Sequence, residues 1–245
     1  MTVLRFAISQ AIDDGDIARA EILNAELRDA AEQAEDEELL LSVMFHEAVL
    51  AMRKGDLDGA RAHFVRIKAS AAKRGDRKRE ASAILNLGWL ATASGNFRAG
   101  LEYSTQAAEL YAELDREVAM AAALVNCGWN ALGLGDPGLA SESFRRALLV
   151  AGPFAAMLVI AEGVAGLAAT LVMRGEEPRG AQLLGAGEAL RDELQLRFND
   201  ELQEEIQERA VADAKAALGE EAFAAAWALG RGMTHEEILA LCHEE

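Results

Sequence analysis

Gly15, Gly55, Gly95, Gly135 and Gly175 recur at a constant spacing of 40 residues. Each precedes a polar residue suited to a turn or a helix start: Asp16, Asp56, Asn96, Asp136 and Glu176. Five residues after each glycine stands a side chain no larger than a methyl: Ala20, Ala60, Gly100, Ala140 and Gly180. A period of this length is one supersecondary unit that can bury its apolar face only against its neighbours. The chain is therefore expected to stack into an array, which offers surface more readily than an enclosed reaction site.

The repeat unit reads as two helices. In residues 81–114, Ile84, Leu87, Gly88 and Ala91 form one apolar stripe at helical spacing. Gly95-Asn96 ends that helix, and Gly100, Ser104 and Ala107 face back from a second one. The next unit offers Leu124, Cys127, Gly128 and Ala131, then Ala140, Phe144 and Ala147. The preceding one offers Ala48 and Ala51, then Ala60, Phe64 and Ile67. Alanine and leucine dominate and prolines number only three, which suits helices and disfavours strands.

This pattern resembles the tetratricopeptide repeat: a large apolar residue and Leu-Gly or its equivalent on the first helix, then Ala and a large residue four later on the second. The resemblance implies an all-α, right-handed superhelical solenoid of about five 40-residue helix-turn-helix repeats over 1–190, with a C-terminal helical cap over 191–245. The aromatic expected near Ala91 and Ala131 and the closing proline are missing. The period exceeds the family's usual 34 by six residues, which longer second helices and connectors such as Ala112–Glu117 are expected to absorb. HEAT-type repeats are the rival reading. The first helix, within residues 1–14, has little spare length, so the chain reads as one that begins inside an array, as a piece of a longer protein would.

After Leu190 the period stops. Gly219 is expected to end one helix, and Thr234 with Glu237 reads as a capping box that opens a last one through Leu241. This tail, ending GRGMTHEEILAL, is similar to the closing segment of many LuxR-type and other STAND regulators, in which a tetratricopeptide array serves as sensor or inhibitory arm. Their nucleotide-binding domain would need GxxxxGK[ST], which the chain lacks: Gly133-Leu134-Gly135-Asp136-Pro137-Gly138 has no lysine. Gly185-Ala186-Gly187 is only a small-residue pair on an expected helix.

The charge narrows the partners. A net charge of −17 disfavours nucleic acid and anionic membranes. Residues 1–40 and 201–245 each carry 11 acids and 3 bases, whereas 41–80 carry 10 bases and 5 acids. The basic residues Lys73, Arg74, Arg77, Lys78 and Arg79 are placed in a connector, as a secondary patch that could dock an acidic partner or another copy. Residues 148–173 are nearly uncharged, but Pro153, Glu162, Gly163 and Gly166 interrupt them, so they read as a buried helix pair. Two distant cysteines, Cys127 and Cys242, and no leader pattern fit a reduced, cytoplasmic setting.

On a helical wheel at about 100° per residue, a second face of the first helices lies about 140° from the packing stripe. The resemblance places this face in a concave groove. It carries Ser82, Leu85, Asn86 and Trp89, then Val125, Asn126 and Trp129 in the next unit; one unit back it carries Phe45, His46 and Val49, with Met52 and Arg53 a turn later. The expectation is a polar ladder His46–Asn86–Asn126 beside an apolar ladder Val49–Trp89–Trp129, with amides for a peptide backbone and indoles as anchors. Related arrays that clamp a C-terminal carboxylate hold lysines where Phe45, Leu85 and Val125 stand, so a neutral or partly apolar protein or peptide segment is expected, with self-association an open alternative.

Catalysis finds no foothold. His46, His63, His235 and His243 lack zinc-ligand spacing, His46-Glu47 lacks the second histidine of HExxH, and Cys127 lies on a core stripe. No metal, cofactor or enzymatic activity is expected; the chain reads as a regulatory binding scaffold, or as the ligand-sensing arm of a larger regulator.

Overall fold

The computed structural model describes residues 2–151, 157–195 and 201–243. Among them lie thirteen α-helices and no strand. Pro153, one of the expected interruptions of the uncharged stretch, lies outside the described residues. Contacts divide the chain into two compact units, 1–90 and 91–245.

The N-terminal unit holds α1 (Thr2–Asp13), α2 (Ile17–Gln33), α3 (Glu37–Arg53), α4 (Leu57–Arg74) and all but the end of α5 (Arg77–Ala93). The C-terminal unit continues with α6 (Phe97–Glu113), α7 (Glu117–Gly133), α8 (Pro137–Ala151), α9 (Met157–Met173) and α10 (Glu177–Leu194). Its tail comprises α11 (Glu201–Leu218), α12 (Glu220–Arg231) and α13 (His235–His243). Helices adjacent in sequence pack on one another from α1 to α4 and from α6 to α12, as in a repeat solenoid. The tail closes on the last pair: α11 packs on α9 and α10, α12 on α10, and α13 on α8 and α10.

Local chemistry sets these boundaries. The five periodic glycines have φ of 75°, 78°, 72°, 74° and 81°, the left-handed region that a Cβ disfavours. Asp16, Asp56, Asn96 and Asp136 then accept a hydrogen bond from the backbone N–H three residues on. Glu176 makes no such bond; there Pro178 in the first turn of α10 presets the backbone instead. The expected capping box is present: Glu237 accepts from the Thr234 N–H at 2.7 Å, and the Glu237 N–H donates to Thr234 Oγ1 at 3.3 Å.

A second series of left-handed turns, hidden in the sequence, runs at the same interval. Glu35, Gly75 and Asp115 have φ of 51°, 70° and 53°, and Gln195 has 54°. Only one of the four is glycine, so three residues adopt a conformation costing roughly 1–2 kcal/mol each. The turns at Glu35, Gly75 and Asp115 join one helix pair to the next and take three, two and three residues. The six residues beyond the usual repeat are therefore not absorbed in connectors such as 112–117. Both helices of a pair lengthen instead: α5, α6 and α7 each span 17 residues.

The core follows the small-residue stripes. In the N-terminal unit Ile8, Ala20, Leu27 and Ala31 pack with Leu39 and Val43. In the C-terminal unit the Phe144 ring stands directly over Gly128 of α7 and Gly166 of α9, where any Cβ would overlap it. Helix α9 is buried along almost its whole length, and no described helix is long and apolar enough to cross a membrane.

Candidate functional site

Helices α1, α3 and α5 of the N-terminal unit border a cavity of about 440 Å³. Five residues that the sequence assigned to two separate sites meet here: Phe45, His46 and Ser82 from the groove set, and Lys78 and Arg79 from the basic set. Arg5, Glu38, Leu41, Ser42 and Asp76 complete it.

The basic residues are helix ends rather than a connector. Lys73 and Arg74 close α4, Arg77, Lys78 and Arg79 open α5, and only Gly75 and Asp76 lie between. Three cations at a helix N-terminus oppose the helix dipole. Asp76 offsets this by accepting from the Arg79 N–H at 3.0 Å and from its Nη1 at 2.9 Å. Arg79 also lies 3.6 Å from Glu38, and Arg74 donates to Glu37 at 2.9 Å. Arg5 and Lys78 have no ion-pair partner among the described residues, so the cavity carries uncompensated positive charge on two helices.

Its apolar side is Phe45, half-buried, with its ring edge-on to Phe64 at 5.8 Å and to His46 at 6.4 Å. His46 is held neutral. Burial, with Arg5 nearby, brings its pKa down to about 4. Nδ1 lies 3.0 Å from Asn24 Oδ1, while Asn24 Nδ2 donates to the Val43 carbonyl at 3.3 Å. The asparagine oxygen is thus the acceptor and Nδ1 carries the ring proton.

Two of these residues escaped sequence reading although a signal was present. Arg5 stands 40 residues before Phe45, in the register of Phe45, Leu85 and Val125, the positions where carboxylate-clamping arrays carry lysine. Extending the register by one unit would have found it. Asn24 stands on the second-helix stripe, in the register of Phe64, Ser104 and Phe144, and is buried there.

The remaining groove candidates are distributed as follows. Val49 packs against the core of the N-terminal unit, Met52 is half-buried and Arg53 exposed. Leu85, Asn86 and Trp89 on α5 are half-buried, and Asn86 Nδ2 donates to the Ser82 carbonyl at 2.8 Å. In the C-terminal unit Asn126 is half-buried, while Val125 and Trp129 are buried. Trp129 meets Phe144 edge-on at 5.4 Å, and its indole N–H has no partner among the described residues. The two ladders cross the division between the units, so each half stands on its own.

A larger cavity, about 610 Å³, lies among α2, α3 and α4. Its charges largely answer one another, through Arg28–Glu47 and Lys54–Glu21. The smaller cavity, with its unanswered cations, is the better candidate for a ligand.

On the α9 face that corresponds in register to Ser42, Ser82 and Ala122 stands Glu162. Burial raises its pKa from 4.5 to about 6, and it has no partner among the described residues. The folded state thus holds its proton more tightly than the unfolded chain, and the associated stability is present below 4.5 and lost as pH rises through 6. Glu162→Gln is expected to stabilise the protein at pH 8 by on the order of 2 kcal/mol and to have little effect at pH 4. Urea midpoints at the two pH values check this.

Sequentially packed antiparallel helix pairs, two recurrent series of left-handed turns and an open cavity on one helix set define the class: an all-α helical-repeat protein. The fold is similar to that in the crystal structure of BtubC (BKLC) from P. vanneervenii, with a TM-score of 0.64 over 79% of this chain and 80% of that one. Identity across that match is 19%, so the likeness is one of fold. No protein-family model matches the sequence, and no curated protein does.

Proposed function

We propose that the chain is a tetratricopeptide-type, non-enzymatic binding module, and that the cavity bordered by α1, α3 and α5 receives a segment of a partner protein. The observation that carries this reading is the pairing of uncompensated Arg5 and Lys78 with the half-buried Phe45 ring in one open cavity. A carboxylate held between the two cations and an apolar side chain on the ring would satisfy both. The partner segment is thus partly apolar, as its groove-facing residues require, and bears at least one acidic group. Neutral His46 adds hydrogen bonding without adding charge. A cytoplasmic setting suits the two buried, unpaired cysteines.

The sensor-arm reading draws on the tail, where GRGMTHEEILAL forms the end of α12 and most of α13 and closes the last helix pair. Both readings use the array as a regulatory surface, and they differ in whether an output domain shares the gene.

The test is affinity capture from a lysate of the source organism, with wild type beside the charge-reversed Arg5→Glu/Lys78→Glu variant. Both residues are exposed, so the variant should keep the wild-type circular dichroism. A specific partner is expected to be retained by wild type and reduced at least about tenfold by the variant. Equal retention by both would remove this cavity as the binding site.

A further inference from the structure

The C-terminal unit already shows how one of its furrows binds a helix. Between α8 and α10, floored by α9, the short helix α13 lies with Ile238, Leu239 and Cys242 buried. Arg145 Nη1 donates to the Cys242 carbonyl at 2.7 Å and Arg179 Nη2 to the Leu241 carbonyl at 2.6 Å. These two arginines grip the last carbonyls of α13, which its own backbone leaves unpaired.

Stepping back 40 residues from Arg145 and Arg179 gives Thr105 and Leu139. Both line a cavity of about 280 Å³ between α6 and α8, floored by α7. The cavity is thus the same furrow one helix pair earlier, and no described segment covers it. Its walls are apolar: Leu101, Ala108, Leu124 and Leu139, of which Leu101 and Leu139 are half-exposed to solvent. Its exposed charged residues are Glu109, Glu142 and Arg146, a net acidic set in which neither glutamate has an ion-pair partner among the described residues. The corresponding furrow of the N-terminal unit, between α2 and α4, is different in kind, its α2 side being tied to α3 by the Arg28–Glu47 and Lys54–Glu21 pairs.

We infer that the furrow between α6 and α8 is a second docking site, for an amphipathic helix of a partner protein that carries an α13-like apolar edge flanked by basic residues. The apolar edge follows from the repeat-equivalent furrow, which the chain fills with Ile238, Leu239 and Cys242. The basic flanks follow from Glu109 and Glu142, which outnumber the single lining cation Arg146, while Thr105 and Leu139 stand where the gripping arginines would be. A helix laid into a groove by residues at i, i+1 and i+4 matches the width of one furrow. This site is independent of the cavity around Arg5 and Lys78.

The probe is a synthetic, fluorescently labelled helical peptide with the edge Ile-Leu-x-x-Ser on a lysine-rich background, titrated by anisotropy against the full chain. Wild type is expected to bind it in preference to a scrambled peptide of identical composition. Leu139→Arg is expected to weaken binding at least about tenfold, and the surface change Glu142→Lys, which touches no core residue, about fivefold. The Arg5→Glu/Lys78→Glu variant should bind as wild type does. No preference over the scrambled peptide would overturn the inference. So would binding untouched by both Leu139→Arg and Glu142→Lys. Loss of binding on Arg179→Leu with Leu139→Arg silent would show the peptide replacing α13 in its own furrow, and would equally overturn it.

Discussion

Phe144→Ala is expected to destabilise the C-terminal unit by about 4 kcal/mol, lowering its melting temperature by about 10 °C. The ring is fully buried and touches two neighbouring helices, α7 and α9. It rests on Gly128 of α7 and Gly166 of α9 and meets Trp129 edge-on at 5.4 Å. Those glycines have no side chain to move into the space the ring leaves, so the cavity persists and the loss is large for its type. The gap would also loosen Trp129, whose indole has this ring as its aromatic neighbour. Phe144→Leu should recover much of the loss. Differential scanning calorimetry of the two variants decides the matter, and a melting temperature unchanged in Phe144→Ala would mean that the ring is not the wedge described here.

Gly230→Val is the second large effect. Helices α10 and α12 cross so closely that a Cβ at Gly230 would overlap the Gln182 carbonyl, and one at Gly185 would overlap the Trp227 carbonyl. The obstructing atoms are backbone, which cannot rotate aside as a side chain would. The two helices must therefore separate, at a cost of about 3 kcal/mol. The loss should be local, because α12 belongs to the tail that closes the last pair. Hydrogen exchange should show the α12 amides losing protection while those of α7 keep theirs. Loss of protection throughout the unit would show instead that the α10–α12 crossing supports the whole core.

Much of the architecture was legible in the residues. The periodic glycines, their capping partners and the small-residue stripes mark ten helices of the array, and Gly219 with the Thr234–Glu237 box marks the tail helices. The inter-pair turns were not legible, because Glu35, Asp115 and Gln195 hold the left-handed conformation without being glycine. The surrounding helices impose that conformation, and no local propensity announces it. For this reason the extra residues were assigned to second helices and connectors, whereas first and second helices both take them up.

The site was legible only in fragments. Lys78 and Arg79 appeared as part of a charge run and Phe45, His46 and Ser82 as part of a helix face, yet they border one cavity. Trp89 and Trp129 are equivalent in sequence, but one is half-buried and the other lies against Phe144 in the core. Two equivalent indoles in different surroundings cannot be distinguished from the pattern that makes them equivalent.

By itself, the sequence determined the turn within each helix pair and which stripe of each helix faces a neighbour. Those outcomes depend on hydrogen bonds and side-chain spacings within a turn or two of chain. Only the tertiary structure decided which equivalent furrows stay open. The furrow between α8 and α10 is closed by α13, about 60 to 100 residues further along, whereas the one between α6 and α8 is not. Contacts at that separation are set by how whole helices pack, and a 40-residue period carries no record of them.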